Sequence, residues 1–85
     1  MITVQELEKQ VWKLDGVRII IRDRAVSKVR KFGYKRAAKE KWSITKFLAS
    51  RIRPLVAERE VVVINGKAAV ANGKMFLKTL RASYN

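Results

Sequence analysis

Residues 22–53 read RDRAVSKVRKFGYKRAAKEKWSITKFLASRIR, and the fold turns on how this stretch divides. Twelve Lys or Arg stand here against Asp23 and Glu40, a net of +10, so the other 53 residues carry only +3 of the formal +13. Like charges at this density repel and no fold requires them; a polyanionic partner is the simplest thing that makes them useful. Ser43 is a good N-cap, and Ile44, Phe47, Leu48 and Ile52 follow at helical spacing, which predicts a helix over 43–53. Pro54 lacks an N–H and disfavours helical geometry at Arg53, so this helix is expected to finish near Arg53. Opposite its apolar stripe lie Thr45, Lys46, Ala49, Ser50 and Arg53. Small residues flanked by cations admit close approach to a backbone or groove, and they equally make an ordinary solvated face. Upstream, Tyr34, Ala37, Ala38 and Lys41 predict a short helix over about 34–41. Residues 23–33 stay open between a short helix along Val26, Val29 and Phe32, ended by Gly33, and a strand over Ala25–Phe32.

Working outward, Thr3-Val4-Gln5-Glu6 is a capping-box pattern, with Ile2 and Leu7 placed as a hydrophobic staple. Val4, Leu7, Val11 and Leu14 continue at helical spacing and Gly16 supplies a stop, giving a helix over 4–15. Trp12, beside that stripe, reads as a core-edge aromatic rather than a base-stacking one. Val17–Arg22 alternates and is β-branched, with Val17, Ile19 and Ile21 on one face, so it reads as a strand. Ile20 between two arginines leaves the other face partly covered. Glu60–Ile64 is a second strand, Asn65-Gly66 a hairpin turn in which both residues tolerate positive φ, and Ala68–Ala71 the returning strand. Asn72-Gly73 is another turn or a helix start. Phe76, Leu77, Leu80 and Tyr84 then predict a helix over about 74–84, with a strand over 75–80 as the alternative. The sum is a single α+β domain over 1–85, in the order α-β-α-α-β-β-α.

Composition narrows the function. A chain of 85 residues buries about 60–65% of its unfolded surface, enough for one modest core. With 48% apolar residues, one Pro and four Gly it folds rather than staying disordered. A sequence pI near 10.9 points to nucleic acid or an anionic membrane surface. Cys and His are both absent, which removes disulfides, zinc fingers, thiol nucleophiles and imidazole acid–base chemistry. No spacing among Asp15, Asp23 and Glu40 resembles a metal pair, and there is no Gly-rich phosphate loop. The expectation is a protein without catalysis, metal or cofactor. The longest apolar runs, Ile19–Ile21 and Val61–Ile64, are too short to span a bilayer and no signal-peptide pattern opens the chain, so a cytoplasmic location is expected, nucleoid-associated if it binds DNA.

Helix, strand, helix, helix, strand, turn, strand is the element order of a winged helix-turn-helix domain. Tyr34–Ile52 (YKRAAKEKWSITKFLASRI) resembles a helix-turn-helix, with Ala37 or Ala38 where a small residue packs between the helices. The pattern departs at the turn, where Lys41-Trp42-Ser43 replaces the usual Gly. The resemblance implies that helix 43–53 enters a major groove and that Asn65-Gly66-Lys67 is the wing tip. Phosphate contacts are then expected from Lys28, Arg30, Lys31, Lys35, Arg36 and Lys39, with Lys46, Ser50 and Arg53 nearest the bases and Thr45, Ala49 and Lys67 completing the surface. Duplex DNA is the favoured partner. RNA or single-stranded DNA is the alternative, because Phe32, Tyr34, Trp42 and Phe47 interleave with the cations, although Phe47 falls on the core stripe. A reading of another class is a small phage-type or mobile-element protein that docks on an acidic face of a host protein complex. Membrane attachment ranks last, since the apolar stripes are committed to the core. A homodimer through Ile20 or the edge of strand 60–64 fits the same sequence.

Overall fold

The computed structural model describes residues 1–84, an α+β domain of three helices and two small antiparallel sheets. Its first helix begins as the capping box predicts. In α1 (Val4–Asp15), Thr3 Oγ1 accepts from the Glu6 N–H at 3.1 Å while the Thr3 N–H donates to the Glu6 carboxylate at 3.2 Å. Gly16 ends the helix in the left-handed region, at φ 66°, and donates its N–H to Trp12 O. Val4, Leu7 and Val11 are fully buried, each contributing on the order of 1.5–3 kcal/mol of transfer free energy.

Before the helix, β1 (Ile2–Thr3) pairs antiparallel with β3 (Lys28–Val29). Residues 23–33 therefore form no helix. The carbonyls of Ser27 and Ala25 accept from the N–H groups of Val4 and Gln5, donors that the first turn of a helix leaves without partners. Val29 and Phe32 point into the core, whereas Val26 is 69% exposed, so these three never shared a face.

The main sheet joins β2 (Arg18–Ile21) to β4 (Val61–Ile64), antiparallel, in register from Arg18 opposite Ile64 to Ile21 opposite Val61. Ile19, Ile21, Val61 and Val63 face inward, as their alternation predicts, and Ile20 stays on the outer face. The far edge of β4, one of two places where a homodimer would fit the sequence, is met by residues 69–71 of the same chain: Ala71 N–H donates to Val63 O, and Val70 bridges Ile64. The returning strand over 68–71 is thus reduced to one bridge. Neither Asn65 nor Gly66 has a positive φ; Ala68 takes it instead, at 62°. Asn65 Oδ1 organises the turn by accepting from the N–H groups of Lys67 and Ala69. Gly66 is needed for close approach, since a Cβ there would lie 1.6 Å from Ser83 O.

Between β3 and β4 in the chain comes α2, in which Ile44–Phe47, a π-helical turn Leu48–Ile52 and Arg53–Val56 form one continuous helix. Ser43 Oγ caps it through the Lys46 N–H. The helix does not stop at Arg53. Pro54 has no N–H for Ser50 O and its ring crowds that carbonyl, so the preceding turn widens and Arg53 N–H bonds Leu48 O, five residues back. Tyr34 Oη donates to the orphaned Ser50 O at 3.3 Å. With that relief the helix continues three residues past Arg53. Ile44, Phe47, Ile52 and Val56 are buried.

Residues 34–41 carry no helix. The backbone groups a helix would use internally are taken by side chains from elsewhere: Ala38 N–H donates to Asp15 Oδ1, Arg36 O accepts from Arg51, and Ala38 O accepts from Arg81. The chain closes with α3 (Leu77–Ser83), helix rather than strand, burying Leu77 and Leu80 while Phe76 at its start stays exposed. No helix among the described residues is long and apolar enough to cross a membrane.

Candidate nucleic-acid interface

The site is built on a buried ion pair. Asp15, whose side chain is 0% exposed, accepts from Arg51 Nη1 at 3.0 Å and from the Ala38 N–H at 2.7 Å. Arg51 Nη1 also donates to Arg36 O at 2.7 Å, and Arg81 links Asp15 O to Ala38 O. Burial pushes the Asp15 carboxyl up from its ordinary range, while the Ala38 N–H and the charges of Arg51 and Arg81 pull it back down. The node fastens α1, α2 and α3 to the middle of the basic segment.

From that node the loop 30–42 runs antiparallel along α2. Arg30 N–H donates to Leu55 O near the helix's C-terminal end, Tyr34 Oη meets Ser50 O, Arg36 O meets Arg51, and Trp42 directly precedes the N-cap. Phe32 and Ala38 anchor it in the core. Aromatic and cationic groups alternate along the seam: the Arg51 guanidinium lies 4.4 Å from the Tyr34 ring centre and 5.7 Å from that of Trp42, and Lys46 Nζ lies 5.1 Å from Trp42. Tyr34 and Trp42, two of the aromatics that interleave with the cations in the sequence, are packed here yet retain exposed surface.

The charge divides cleanly. Three of the 20 Lys and Arg, namely Arg51, Arg59 and Arg81, are drawn into the fold and each hold backbone carbonyls; the other 17 are exposed, Arg53 among them while also reaching one carbonyl. Arg59 clasps the C-terminal end of α2, through Asp23 at 2.6 Å and the carbonyls of Val56 and Lys28. Hydrogen bonds from Arg59 and from the Arg24 N–H hold the Asp23 carboxyl below its ordinary range. Glu6 caps α1 and Glu8 accepts from the Ile21 N–H, so four of the seven carboxylates have structural tasks. Among the described residues only Arg51–Asp15 and Arg59–Asp23 form ion pairs, which leaves the loop's exposed cations without carboxylate partners.

The residues proposed from sequence are placed as follows. Lys28, Arg30, Lys31, Lys35, Arg36 and Lys39 lie exposed along β3 and the loop, beside α2, whose outer face presents Lys46, Ala49, Ser50 and Arg53. Arg53 Nη1 donates to Arg59 O at 3.0 Å, leaving its other donors free. Thr45 is set apart, because its hydroxyl and N–H both donate to Gly73 O and tie the start of α2 to the segment before α3. Lys67 sits on the turn after β4, at the opposite end of that strand from Arg59. Sequence reading missed Asp15, Arg51, Arg59 and Arg81 as organisers. A signal existed for the first two: Asp15 continues the Leu7–Val11 stripe and Arg51 the Ile44–Phe47 stripe, so opposite charges occupy core positions on two helices. No protein-family model, curated protein or solved structure matches this chain.

Proposed function

We propose that this chain is a non-catalytic nucleic-acid-binding domain, with duplex DNA favoured over RNA and single-stranded DNA. The observation that carries the reading is the loop laid along α2, whose unpaired cations flank a helix face of small residues. Phosphates would be met by Lys28, Arg30, Lys31, Lys35, Arg36 and Lys39. Lys46, Ser50 and Arg53 would approach the bases, with Ala49 allowing the helix close to the backbone. In its winged helix-turn-helix form the reading gives α2 the groove and the 65–68 turn the wing, with the basic loop standing where a first helix would be.

Ala49→Glu tests the reading. It adds bulk and negative charge to the approach face and leaves the core stripe untouched, and Glu is a good helix former. Folding by circular dichroism is expected to be preserved and duplex affinity lost by at least ten-fold in a fluorescence-anisotropy titration. A folded Ala49→Glu protein that binds as well as wild type removes α2 from the interface.

A further inference from the structure

We propose that the cleft between α1 and the basic loop receives an unpaired nucleobase of the nucleic acid that the loop and α2 hold, an inference that rests on the nucleic-acid reading above. The cleft has a volume of about 310 Å³ and is lined by Gln10, Lys13, Leu14, Phe32 and Tyr34. That is the lower end of the range for small-molecule sites, roughly 300–1,000 Å³. Its lining has the right chemistry for a base. Tyr34, which is 39% exposed, offers aromatic surface; the buried Phe32 ring packs tilted against it with ring centres 5.2 Å apart, and Leu14 adds an apolar wall. Every base has a π-face, so stacking on such rings tolerates any sequence.

The polar groups fit the same ligand. Gln10 Oε1 is buried without a hydrogen-bond partner, so the amide oxygen is uncommitted to the protein and meets a base only once the amide turns. An amide carries both acceptor and donors and matches a base edge by a half-turn about its last bond. Lys13 lines the cleft, and Lys31 and Lys35, exposed beside Phe32 and Tyr34 in the chain, bring cations for the flanking phosphates. Tyr34 also belongs to the α2 side, since its hydroxyl holds Ser50 O. One residue therefore touches both the cleft and α2.

The test compares three short duplexes by anisotropy: one fully paired, one with a single unpaired nucleotide, and one with an abasic sugar at that position. The unpaired base is expected to tighten binding about ten-fold over its abasic counterpart, the equivalent of ~1.4 kcal/mol of base–aromatic stacking. 2-Aminopurine placed there should be quenched on binding. Tyr34→Phe keeps the ring and should keep the ratio; Tyr34→Ala and Gln10→Leu should lower it, the latter on an intact fold. Lys35→Ala should weaken all three duplexes and leave the ratio unchanged. Equal binding of the base and abasic duplexes by wild type overturns the cleft's role while leaving the domain a nucleic-acid binder. Failure to bind any of the three overturns the underlying reading, and the cleft proposal with it.

Discussion

Arg51→Met removes a charge and two hydrogen bonds from the buried node while keeping most of the side chain's volume. In wild type the Arg51 side chain is 11% exposed and that of Asp15 is 0% exposed, so solvent screens the pair weakly. Loss of Arg51 leaves Asp15 with one hydrogen bond, from Ala38, while Oδ2 already has no partner, and it strips Arg36 O of its donor. Breaking a buried pair from one side typically costs about 3–5 kcal/mol. A domain of 85 residues is expected to be stable by roughly 4–13 kcal/mol, so this one change approaches the whole margin. The double variant Asp15→Asn/Arg51→Met carries no uncompensated charge and should recover to within about 1–2 kcal/mol of wild type. The assay is urea unfolding followed by circular dichroism, at neutral pH and at mildly acidic pH. Asp15 has a folded-state pKa raised chiefly by burial, and removing Arg51 withdraws a charge that restrains the rise. Stability from the neutral carboxyl is present below its unfolded pKa and is lost as pH rises through the folded one. The deficit of Arg51→Met should therefore narrow on acidification. A deficit under about 1 kcal/mol at neutral pH, or one that does not narrow, refutes this account of the node.

Two further outcomes follow from single contacts. Gly66→Ala puts a Cβ 1.6 Å from Ser83 O, a backbone atom, so the turn and α3 must separate; a loss at or above the ~1–3 kcal/mol of ordinary overpacking is expected in a thermal melt, and an unchanged midpoint contradicts the packing described. Arg53→Ala should relax sequence preference at one base position by about 1–3 kcal/mol in competition binding with permuted duplexes; a uniform loss across sequences reassigns Arg53 to phosphate.

Helix caps and strand alternation were read correctly because the interactions behind them are local. Thr3 and Glu6 bracket α1 from three residues apart, Ser43 caps α2, and Ile19 and Ile21 alternate with Arg18 and Ile20 as a half-buried strand must. The outer face of α2 was legible for the same reason. The failure over 34–41 has a long-range cause. Ala37, Ala38 and their basic neighbours suit a helix, but Ala38 is bonded to Asp15, 23 positions away, and to Arg81, 43 positions away. Side chains so distant leave no trace in a local pattern. Pro54 misled in the other direction, because the widened turn before it and the Tyr34 hydroxyl let the helix run on. Asn65-Gly66 marked a turn, yet the glycine serves contact with Ser83 rather than a positive φ. At the candidate site, counting charges found the exposed cations but not the arginines that fold the loop holding them.

The salt dependence of duplex binding tests the central claim most directly. If the loop cations neutralise about six phosphates, log K should fall with log salt at a slope of roughly −5, and Lys35→Ala should reduce its magnitude by about one while weakening all sequences alike. A flat dependence, or no binding to any nucleic acid at low salt, contradicts a domain organised to present its basic loop to a polyanion.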